Sequence, residues 1–382
     1  MIRKQTAQRL NWQKAVADDG LIWHTDGVDP YWREGTYYSF TPGEIDLFDE
    51  ATRSVYNLML AAGDVILGDK NGEWLTRMGI PQKAHAAIRR AWDQEPPALN
   101  YGRFDFGYDG RTEPKMFEFN CDTPTSLLEA SVIQWRWKEQ VFPALDQFNS
   151  IHEHLVAKWA DIRPLLPSDE IHFTHFFDDA GEDTVTTAYL RDTAAAGGIG
   201  SSVILIEDIG LSADGRFVDL DEQVITTLFK LYPWEWMVNE EYADAVFNSV
   251  DTMVWLEPIW KMMWSNKGIL PLLSKLDPTN PFLLHSSFDK PASGSYVKKP
   301  MLAREGANIE IVDRDVLAST GGDYGEEGYV YQEMYRLPET APGVFPVIGS
   351  WIVDGEPCGI GIREDGLITS NTAKFVPHVI EG

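Results

Sequence analysis

The sequence predicts a mixed α/β (α+β) protein, and two patterns carry that prediction. Residues 171–231 alternate between short apolar segments typical of strands and one longer segment typical of a helix, which is the order of a parallel βαβ unit. Residues 101–120 contain two segments in which apolar and polar residues alternate, separated by an Asp-Gly pair, and this pattern indicates an antiparallel hairpin. The chain of 382 residues is long enough for two or three domains with hydrophobic cores.

The first hundred residues are predicted to be mostly helical. The opening segment, MIRKQTAQRLNWQKAV, has the pattern of an amphipathic helix and lacks the apolar stretch of a secretory signal. Thr41-Pro42-Gly43-Glu44 predicts a capped start for a long helix over residues 45–67, and residues 80–92 predict a second helix. Since no apolar run approaches the roughly 20 residues of a membrane span, we expect a cytoplasmic protein without a membrane partner.

The hairpin predicted at residues 101–120 brings four polar side chains to one face. Side chains alternate between faces along a strand, so Arg103, Asp105, Glu118 and Asn120 share the face opposite the phenylalanines. Carboxylates that face each other across two strands are destabilising unless something compensates their charge. A hard cation would do so, and carboxylate and amide oxygens suit Mg²⁺. The alternative is an ordinary solvated polar face.

The residues after Asn120 predict a corner that suits anions and metals. The sequence Asp-Thr-Pro-Thr at residues 122–125 is typical of a turn. Ser126-Leu127-Leu128-Glu129 then has the pattern of a capping box that opens a helix to about Val141. The first N–H groups of a helix are free to bind an anion.

The middle of the chain predicts a small parallel sheet. Its strands are expected at residues 171–177, 202–207 and 224–231, with a helix over residues 183–196 between the first two. An acidic group follows the first strand: Asp178, Asp179, Glu182 and Asp183. Ligands bind beyond the C-terminal ends of strands in open α/β sheets, but acidic residues also stabilise helix N-termini without binding a ligand. Both interpretations stay open from the sequence.

The last third of the chain contains a candidate phosphate-binding loop. Lys299 ends a predicted strand, and the loop after it contains Arg304 and Gly306. Together with Lys267, these residues fit a flexible loop that folds over phosphates, although isolated lysines are more often solvated. The chain has no Walker sequence, which excludes a P-loop. Other elements expected here are strands at residues 296–300, 308–312 and 329–335, and hairpins that turn at Asp354-Gly355 and Asp365-Gly366.

The net charge and the cysteines exclude several classes of protein. With 32 basic and 59 acidic residues the net charge is −27, which argues against a nucleic-acid partner. This charge could attract a cationic substrate such as a polyamine, or it could serve solubility alone. Cys121 and Cys358 are the only cysteines, too few for a disulfide framework or a zinc site.

Several short motifs, each weak by itself, occur together in a specific order. They are Arg103-x-Asp105, Glu118-x-Asn120, Asp122-Thr123-Pro124-Thr125, Glu257-Pro258-Ile259-Trp260 before Asn266-Lys267, Lys299-Pro300 with Arg304-x-Gly306, and Tyr331-Gln332. In this order the chain resembles the synthetase domain of glutathionylspermidine synthases, from near its N-terminus to its end. The resemblance implies an ATP-grasp fold and a ligase that joins a carboxylate to an amine with ATP.

The resemblance also implies roles for individual residues. Asp105, Glu118 and Asn120 would bind Mg²⁺, with two ions expected. Three arginines would be catalytic: Arg103 and Arg363 at the transferred phosphoryl group, and Arg304 on a lid. Contacts to ATP would come from Arg103, Lys267, Lys299, Glu305, Gly306, Gln332, Glu333, Tyr335, Leu367, Ile368 and Thr369. The substrate residues would be Thr123 near the acid, Glu182 and Asp183 near the amine, and Glu235.

The same resemblance implies how the chain is divided. Residues 1–150 would hold the helical N-terminal region and the metal-binding hairpin of the ATP-grasp core. Residues 151–255 would form an inserted small parallel α/β domain, and residues 256–382 the lid and the C-terminal nucleotide-binding part, with the three regions interleaved. The sequence departs from the family in three respects: it contains no amidase domain, Ala303 stands where glycine is usual, and Trp236 replaces a threonine.

From the resemblance we expect an ATP- and Mg²⁺-dependent acid–amine ligase that works through an acyl phosphate. Glutathione or another peptide is the candidate acid, and a polyamine is the candidate amine. Two alternatives stay open: a nucleotide-binding homologue without activity, and a phosphotransferase that stops at a phosphorylated acceptor. The sequence specifies neither the oligomeric state nor the base that deprotonates the amine.

Overall fold

A five-stranded antiparallel sheet, here called the central sheet, contains the predicted polar hairpin. The computed structural model, which describes residues 1–179 and 181–382, assembles this sheet from segments far apart in the chain. In spatial order its strands are Lys374–Val376, Glu356–Asp365, Phe345–Val353, Tyr101–Gly107 and Lys115–Asn120. The C-terminal hairpin therefore lies beside the polar hairpin.

The register of the polar hairpin confirms its predicted shared face. Arg103 lies opposite Asn120, and Asp105 lies opposite Glu118, before a bulge shifts the register. The predicted tight turn is wrong, because residues 108–114 form a longer connection. In that connection an Asp109 side-chain oxygen accepts two backbone N–H groups, which stabilises a wider loop than a two-residue turn.

Of the two turns predicted near the C-terminus, one is confirmed and the other is wrong. At Asp354-Gly355 a two-residue turn joins two strands directly, and both residues have positive φ (50° and 84°), as this kind of hairpin requires. After Asp365 the predicted tight turn is wrong, since residues 366–373 form a loop. The Asp365 carboxylate accepts the backbone N–H groups of Gly366 and Ser370 and so holds the longer loop.

The parallel sheet predicted for the middle of the chain is confirmed and has an additional strand. Its parallel strands, in spatial order, are Val254–Leu256, Thr227–Leu231, Glu170–His175 and Gly200–Leu205. Helix Glu182–Ala196 connects the last two in the chain. The Phe173 and Phe229 rings stack with centroids 4.9 Å apart on adjacent strands, so apolar packing holds this sheet together.

A second antiparallel sheet carries the predicted phosphate-binding loop. Its strands, in spatial order, are Ser286–Ser287, Tyr329–Glu333, Tyr296–Pro300, Glu310–Asp313 and Asp315–Ser319. The loop of residues 301–309 joins two neighbouring strands of this sheet. The strand expected at residues 296–300 has the predicted bounds, and the strands expected at 308–312 and 329–335 are present with ends shifted by one or two residues.

The opening segment of the chain is not the predicted amphipathic helix. Ile2–Gln5 is a strand that pairs with Thr36–Phe40, which in turn pairs with His378–Ile380 near the C-terminus. Arg3 also forms an ion pair with Glu364, with 2.6 Å between Nε and Oε1. These contacts to distant residues outweigh the local helical pattern, and a helix forms only over Trp12–Asp18.

The rest of the N-terminal region contains the predicted helices. Helix Pro42–Gly68 begins with the expected capping box, in which the Thr41 and Glu44 side chains each bond to the other residue's backbone N–H. It packs against the central sheet, where Phe48 meets Phe106 edge to face. The shorter helices that follow are Glu73–Arg77, Gln82–Ala84 and His85–Gln94.

The helix after the polar hairpin exists, but its predicted capping box is wrong. Ser126 has a left-handed backbone with φ of 64°, and Glu129 bonds to the Tyr31 hydroxyl instead of to the backbone at the helix start. Residues Glu129–Ile133 form a π-helical turn, and Gln134–Val141 continue as an α-helix. A contact with a distant side chain has thus replaced the local cap.

The remaining elements are short or peripheral to the four sheets described above. The helices are Ile151–Ile162, Arg163–Leu165, Ile206–Asp208, Trp234–Met237, Ala243–Ser249, Lys261–Trp264, Lys267–Ile269 and Leu270–Leu276, and the short strands are Thr25–Asp26, Asp29–Pro30, Gly210–Leu211 and Phe217–Val218. Cys121 and Cys358 are both buried and free. Among the described residues, no helix has the length and apolar character needed to cross a membrane.

Candidate active site

A cavity of about 560 Å³ lies where the central sheet, the second antiparallel sheet and the start of helix Glu182–Ala196 meet. Every predicted metal, ATP, substrate and catalytic residue lines this cavity except Glu235. Glu235 lines a small neighbouring pocket together with Thr123 and Arg304, which belong to both. The fold therefore brings together residues that the sequence separates by more than two hundred positions.

Asp105 is held between two arginines on the floor of the cavity. Its Oδ1 accepts from Nε of Arg103 at 2.7 Å, and its Oδ2 accepts from Nη2 of Arg363 at 2.6 Å. Arg103 also donates to the Thr125 carbonyl. On the neighbouring strand Gly349 leaves room for this arginine, since a Cβ there would lie 2.6 Å from its Cδ. The guanidinium groups are thus fixed before any ligand arrives.

Glu118 lies near two lysines that come from separate elements. Its Oε2 is 2.7 Å from Nζ of Lys267, which also donates to the Ala303 carbonyl at 2.6 Å. Nζ of Lys299 donates to Oε1 of Gln332 at 2.7 Å. Although burial alone would raise the pKa of Glu118, the two lysines hold that pKa well below its ordinary value.

The pKa of Lys299 is lowered because this side chain is a buried cation with few compensating charges. Burial and the charge of Lys267 together lower its pKa to about 8, while the charges of Glu118 and Asp105 oppose the shift. A phosphate group placed between the two lysines would relieve their repulsion. These two amines can therefore bind a polyanion.

The predicted metal ligands form an oxygen-donor set on one face of the hairpin. Nδ2 of Asn120 lies 3.2 Å from a carboxylate oxygen of both Asp105 and Glu118. Rotating this amide would turn its oxygen toward the same space, and three oxygen donors fit Mg²⁺. The described part of the chain contains no group of three or more His, Cys, Asp or Glu side chains placed to hold a metal. The predicted set is not such a group, because its third member is an amide and only two members are carboxylates.

The loop of residues 301–309 is fastened to the cavity by two contacts. Arg304 donates from Nε to Oε1 of Glu235 and from Nη1 to Oγ1 of Thr123, both at 2.7 Å. Gly306 has a φ of 72°, and a Cβ there would lie 2.5 Å from the carbonyl oxygen of Thr369. The loop therefore reaches the segment after the polar hairpin on one side and residues 367–369 on the other.

The predicted amine residues form an acidic part of the cavity. Burial, together with the nearby Glu129 carboxyl group, raises the pKa of Glu182 to about 8. Burial and the charge of Asp178 raise the pKa of Asp183 to about 6. A cation bound here would stabilise both carboxylates. Asp178 serves as a helix cap, since its carboxylate accepts the backbone N–H groups of Asp183 and Thr184. Glu182 and Asp183 stay candidates for ligand binding.

Residues 3–381 match the family described as glutathionylspermidine synthase preATP-grasp. The chain belongs to this family. A putative acid–amine ligase from Haemophilus influenzae is 40% identical over 365 residues, which cover 91% of this chain and 90% of the relative. The bifunctional glutathionylspermidine synthetase/amidase of Escherichia coli is 25% identical over 384 residues, which cover 92% of this chain and 60% of the relative. As a member of the glutathionylspermidine synthase family, the chain is a ligase that forms amide bonds.

A solved structure outside these relatives has a similar fold. The glutathione synthetase-like effector GSS30 from Globodera pallida, in its apo form, aligns with a TM-score of 0.57 at 11% identity, covering 97% of this chain and 96% of that one. This likeness supports the mixed α/β fold class. The chain spans only about three fifths of the bifunctional family member, so the two proteins differ in extent as well as in sequence.

Sequence reasoning missed a buried ion pair that includes Asp122, the neighbour of Thr123 in the chain. Asp122 accepts from Nζ of Lys230 at 2.5 Å and from the backbone N–H of Trp234 at 2.8 Å, and both charged side chains are almost fully buried. Trp234 immediately precedes Glu235, so the pair positions the helix that holds Arg304. The signal was present, because a lysine inside the apolar strand Thr227–Leu231 needs a buried partner.

Proposed function

We propose that this member of the glutathionylspermidine synthase family is an ATP- and Mg²⁺-dependent acid–amine ligase with an ATP-grasp layout. The observation that carries the proposal is one cavity with two parts of opposite charge. One part holds Arg103, Lys267, Lys299 and Arg363, and another holds Glu182 and Asp183, the partly buried acids of the proposed amine site. An enzyme that phosphorylates an acid and then transfers it to an amine needs both parts within reach of each other.

In the first step the substrate carboxylate attacks the γ-phosphate of ATP, which gives an acyl phosphate and ADP. Negative charge then builds on the phosphoryl oxygens, and fixed cations stabilise it most effectively when they need no reorganisation. Arg103 and Arg363 meet this condition, because Asp105 holds both in place. Lys267 and Lys299 would neutralise the remaining phosphate charge.

Mg²⁺ fits the oxygen donors of Asp105, Glu118 and Asn120, which would hold it. When bound, it would neutralise phosphate charge and act as a Lewis acid on the transferred group. The proximity of the three side chains on one face of the hairpin supports this assignment, since Asn120 lies 3.2 Å from a carboxylate oxygen of both Asp105 and Glu118. Ion pairs with Lys267 and Arg363 compensate the charge of the two carboxylates.

In the second step the amine attacks the acyl carbon, phosphate leaves, and the amine nitrogen loses a proton. The acidic part of the cavity would bind the amine as a cation, and the loop of Arg304 would exclude water from the acyl phosphate. The contact of Arg304 with Thr123 supports a position for the acid substrate between the two parts. Glutathione or a related peptide is the proposed acid, and a polyamine is the proposed amine.

The proposal is tested by measuring ADP release from Mg·ATP with glutathione and a panel of polyamines and amino acids. Mass spectrometry of the same reactions identifies a new amide. We expect ADP and amide to appear in equal amounts, and only when the acid and the amine are both present.

Two other results would contradict the proposal in different ways. ADP together with a phosphorylated acid but no amide would indicate a phosphotransferase. ATP binding without ADP from any acid in a metabolite extract would indicate a protein that binds nucleotides and does not catalyse.

A further inference from the structure

Tyr31 lines the cavity from a segment that is anchored on the central sheet. The next residue, Trp32, is fully buried and stacks on Phe375 of that sheet with ring centroids 5.9 Å apart. The backbone N–H of Arg33 donates to the Phe375 carbonyl at 2.9 Å. The backbone N–H of Phe375 in turn donates to the Tyr31 carbonyl at 3.0 Å, so the backbone of Tyr31 is bonded directly to the central sheet.

The hydroxyl proton of Tyr31 has a fixed destination. It is donated to Oε1 of Glu129 at 2.7 Å, and the Glu129 side chain is buried with only 1% exposure. Glu129 opens the π-helical turn that replaces the predicted cap, and such turns are frequent at functional sites. Glu129 does not line the cavity itself, so it can act on a ligand there only through Tyr31.

The surroundings of Tyr31 favour a cationic ligand. Burial raises the pKa of Tyr31 well above its ordinary value, and the nearby charges of Glu129 and Glu182 raise it further. The phenol is therefore protonated near neutral pH. Since its proton points to Glu129, its oxygen can serve a ligand only as a hydrogen-bond acceptor.

We propose that Tyr31 is a specificity residue for the amine substrate, and that the Tyr31 oxygen accepts a hydrogen bond from an N–H group of that amine. Glu129 is the positioning residue that fixes the orientation of the Tyr31 hydroxyl. The inference rests on the proposed function, because it takes the acidic part of the cavity as the amine site. Neither residue belongs to the motifs of the family resemblance. Tyr31 is 98 positions from Glu129, so only the fold joins them.

Calorimetric binding of spermidine tests the inference without turnover. We expect Tyr31→Phe and Glu129→Leu to weaken spermidine binding by about 10- to 100-fold, the range for a hydrogen bond to a charged group. Glu129→Gln should stay within about threefold of the wild type, because its amide oxygen still accepts the phenol proton. Binding of Mg·ATP should be unchanged in all three variants. The matched control is Tyr108→Phe, which removes a hydroxyl that donates to Glu44 at 3.1 Å outside the cavity.

The double variant Tyr31→Phe with Glu129→Leu leaves no unpaired buried carboxyl group and should bind spermidine as weakly as the single variants. In steady-state assays the weak variants should raise KM for the amine and leave KM for ATP unchanged. Equal losses in Glu129→Gln and Glu129→Leu would overturn the positioning role, as would a parallel loss of Mg·ATP binding. Absence of spermidine binding by the wild type would overturn the inference altogether. Spermidine binding in the predicted pattern without amide formation would support the inference and contradict the ligase proposal.

Discussion

Replacing Glu118 with glutamine separates its two proposed roles, as a metal ligand and as the partner of two lysines. The substitution keeps the shape of the side chain and removes its charge. The glutamine amide can still accept from Lys267, which lies 2.7 Å from the carboxylate. We therefore expect the fold to survive while catalysis fails.

The cost to stability follows from the ion pair that is lost. Because the two lysines hold the pKa of Glu118 well below its ordinary value, the carboxylate stabilises the folded state at pH 7. Removing one partner of a fully buried ion pair costs about 3–5 kcal/mol. The Glu118 side chain is 25% exposed, so the free energy of unfolding should fall by less than that. Loss of a metal ligand removes several kcal/mol of transition-state stabilisation, so turnover should fall roughly 10³-fold.

The assay compares ADP release, ATP binding and urea unfolding in Glu118→Gln and in the wild type. In the absence of Mg²⁺ the variant should bind ATP at least as tightly, because a negative charge beside the phosphate site is gone. The matched control is Glu113→Gln, an exposed residue in the connection of the same hairpin, which should behave as the wild type. Wild-type turnover in Glu118→Gln would refute its assignment to Mg²⁺, and loss of metal-free ATP binding would refute the competition between Glu118 and phosphate.

Three further predictions concern stability and the loop over the cavity. The melting temperature of Glu182→Gln should match that of the wild type near pH 4.5 and exceed it above pH 8. Burial raises the folded-state pKa of Glu182 to about 8, so ionisation of this carboxyl group destabilises the wild-type fold as the pH rises from about 4.5 to 8. In a denaturant titration, Asp122→Asn should lower the free energy of unfolding by about 3–5 kcal/mol, because it leaves a buried lysine unpaired. The control Asp49→Asn breaks an exposed ion pair and should lower it by less than about 1 kcal/mol. Gly306→Ala should reduce kcat about tenfold, because alanine in the left-handed region costs about 1–2 kcal/mol and its Cβ meets a carbonyl; Gly321→Ala, where a Cβ meets open space, should leave kcat unchanged and serves as the control.

The sequence by itself determined the features that depend on neighbours a few residues apart. The shared face of Arg103, Asp105, Glu118 and Asn120 follows from the two-residue period of strands, and the register confirms it. The capping box before helix Pro42–Gly68 also formed as predicted, because both of its hydrogen bonds lie within four residues. The parallel βαβ arrangement followed from the same kind of local pattern.

Only the tertiary structure decided where distant segments compete with local ones. The opening segment became a strand because partners near residues 36–40 and 378–380 pair with it. Glu129 left its predicted cap for Tyr31, and Arg363 reached Asp105 across 258 positions. Local periodicity carries no information about which of many distant partners a side chain meets, since that choice depends on the packing of all elements at once. The sequence therefore specified which chemical groups the site contains, and the fold specified which of them form hydrogen bonds and ion pairs with one another.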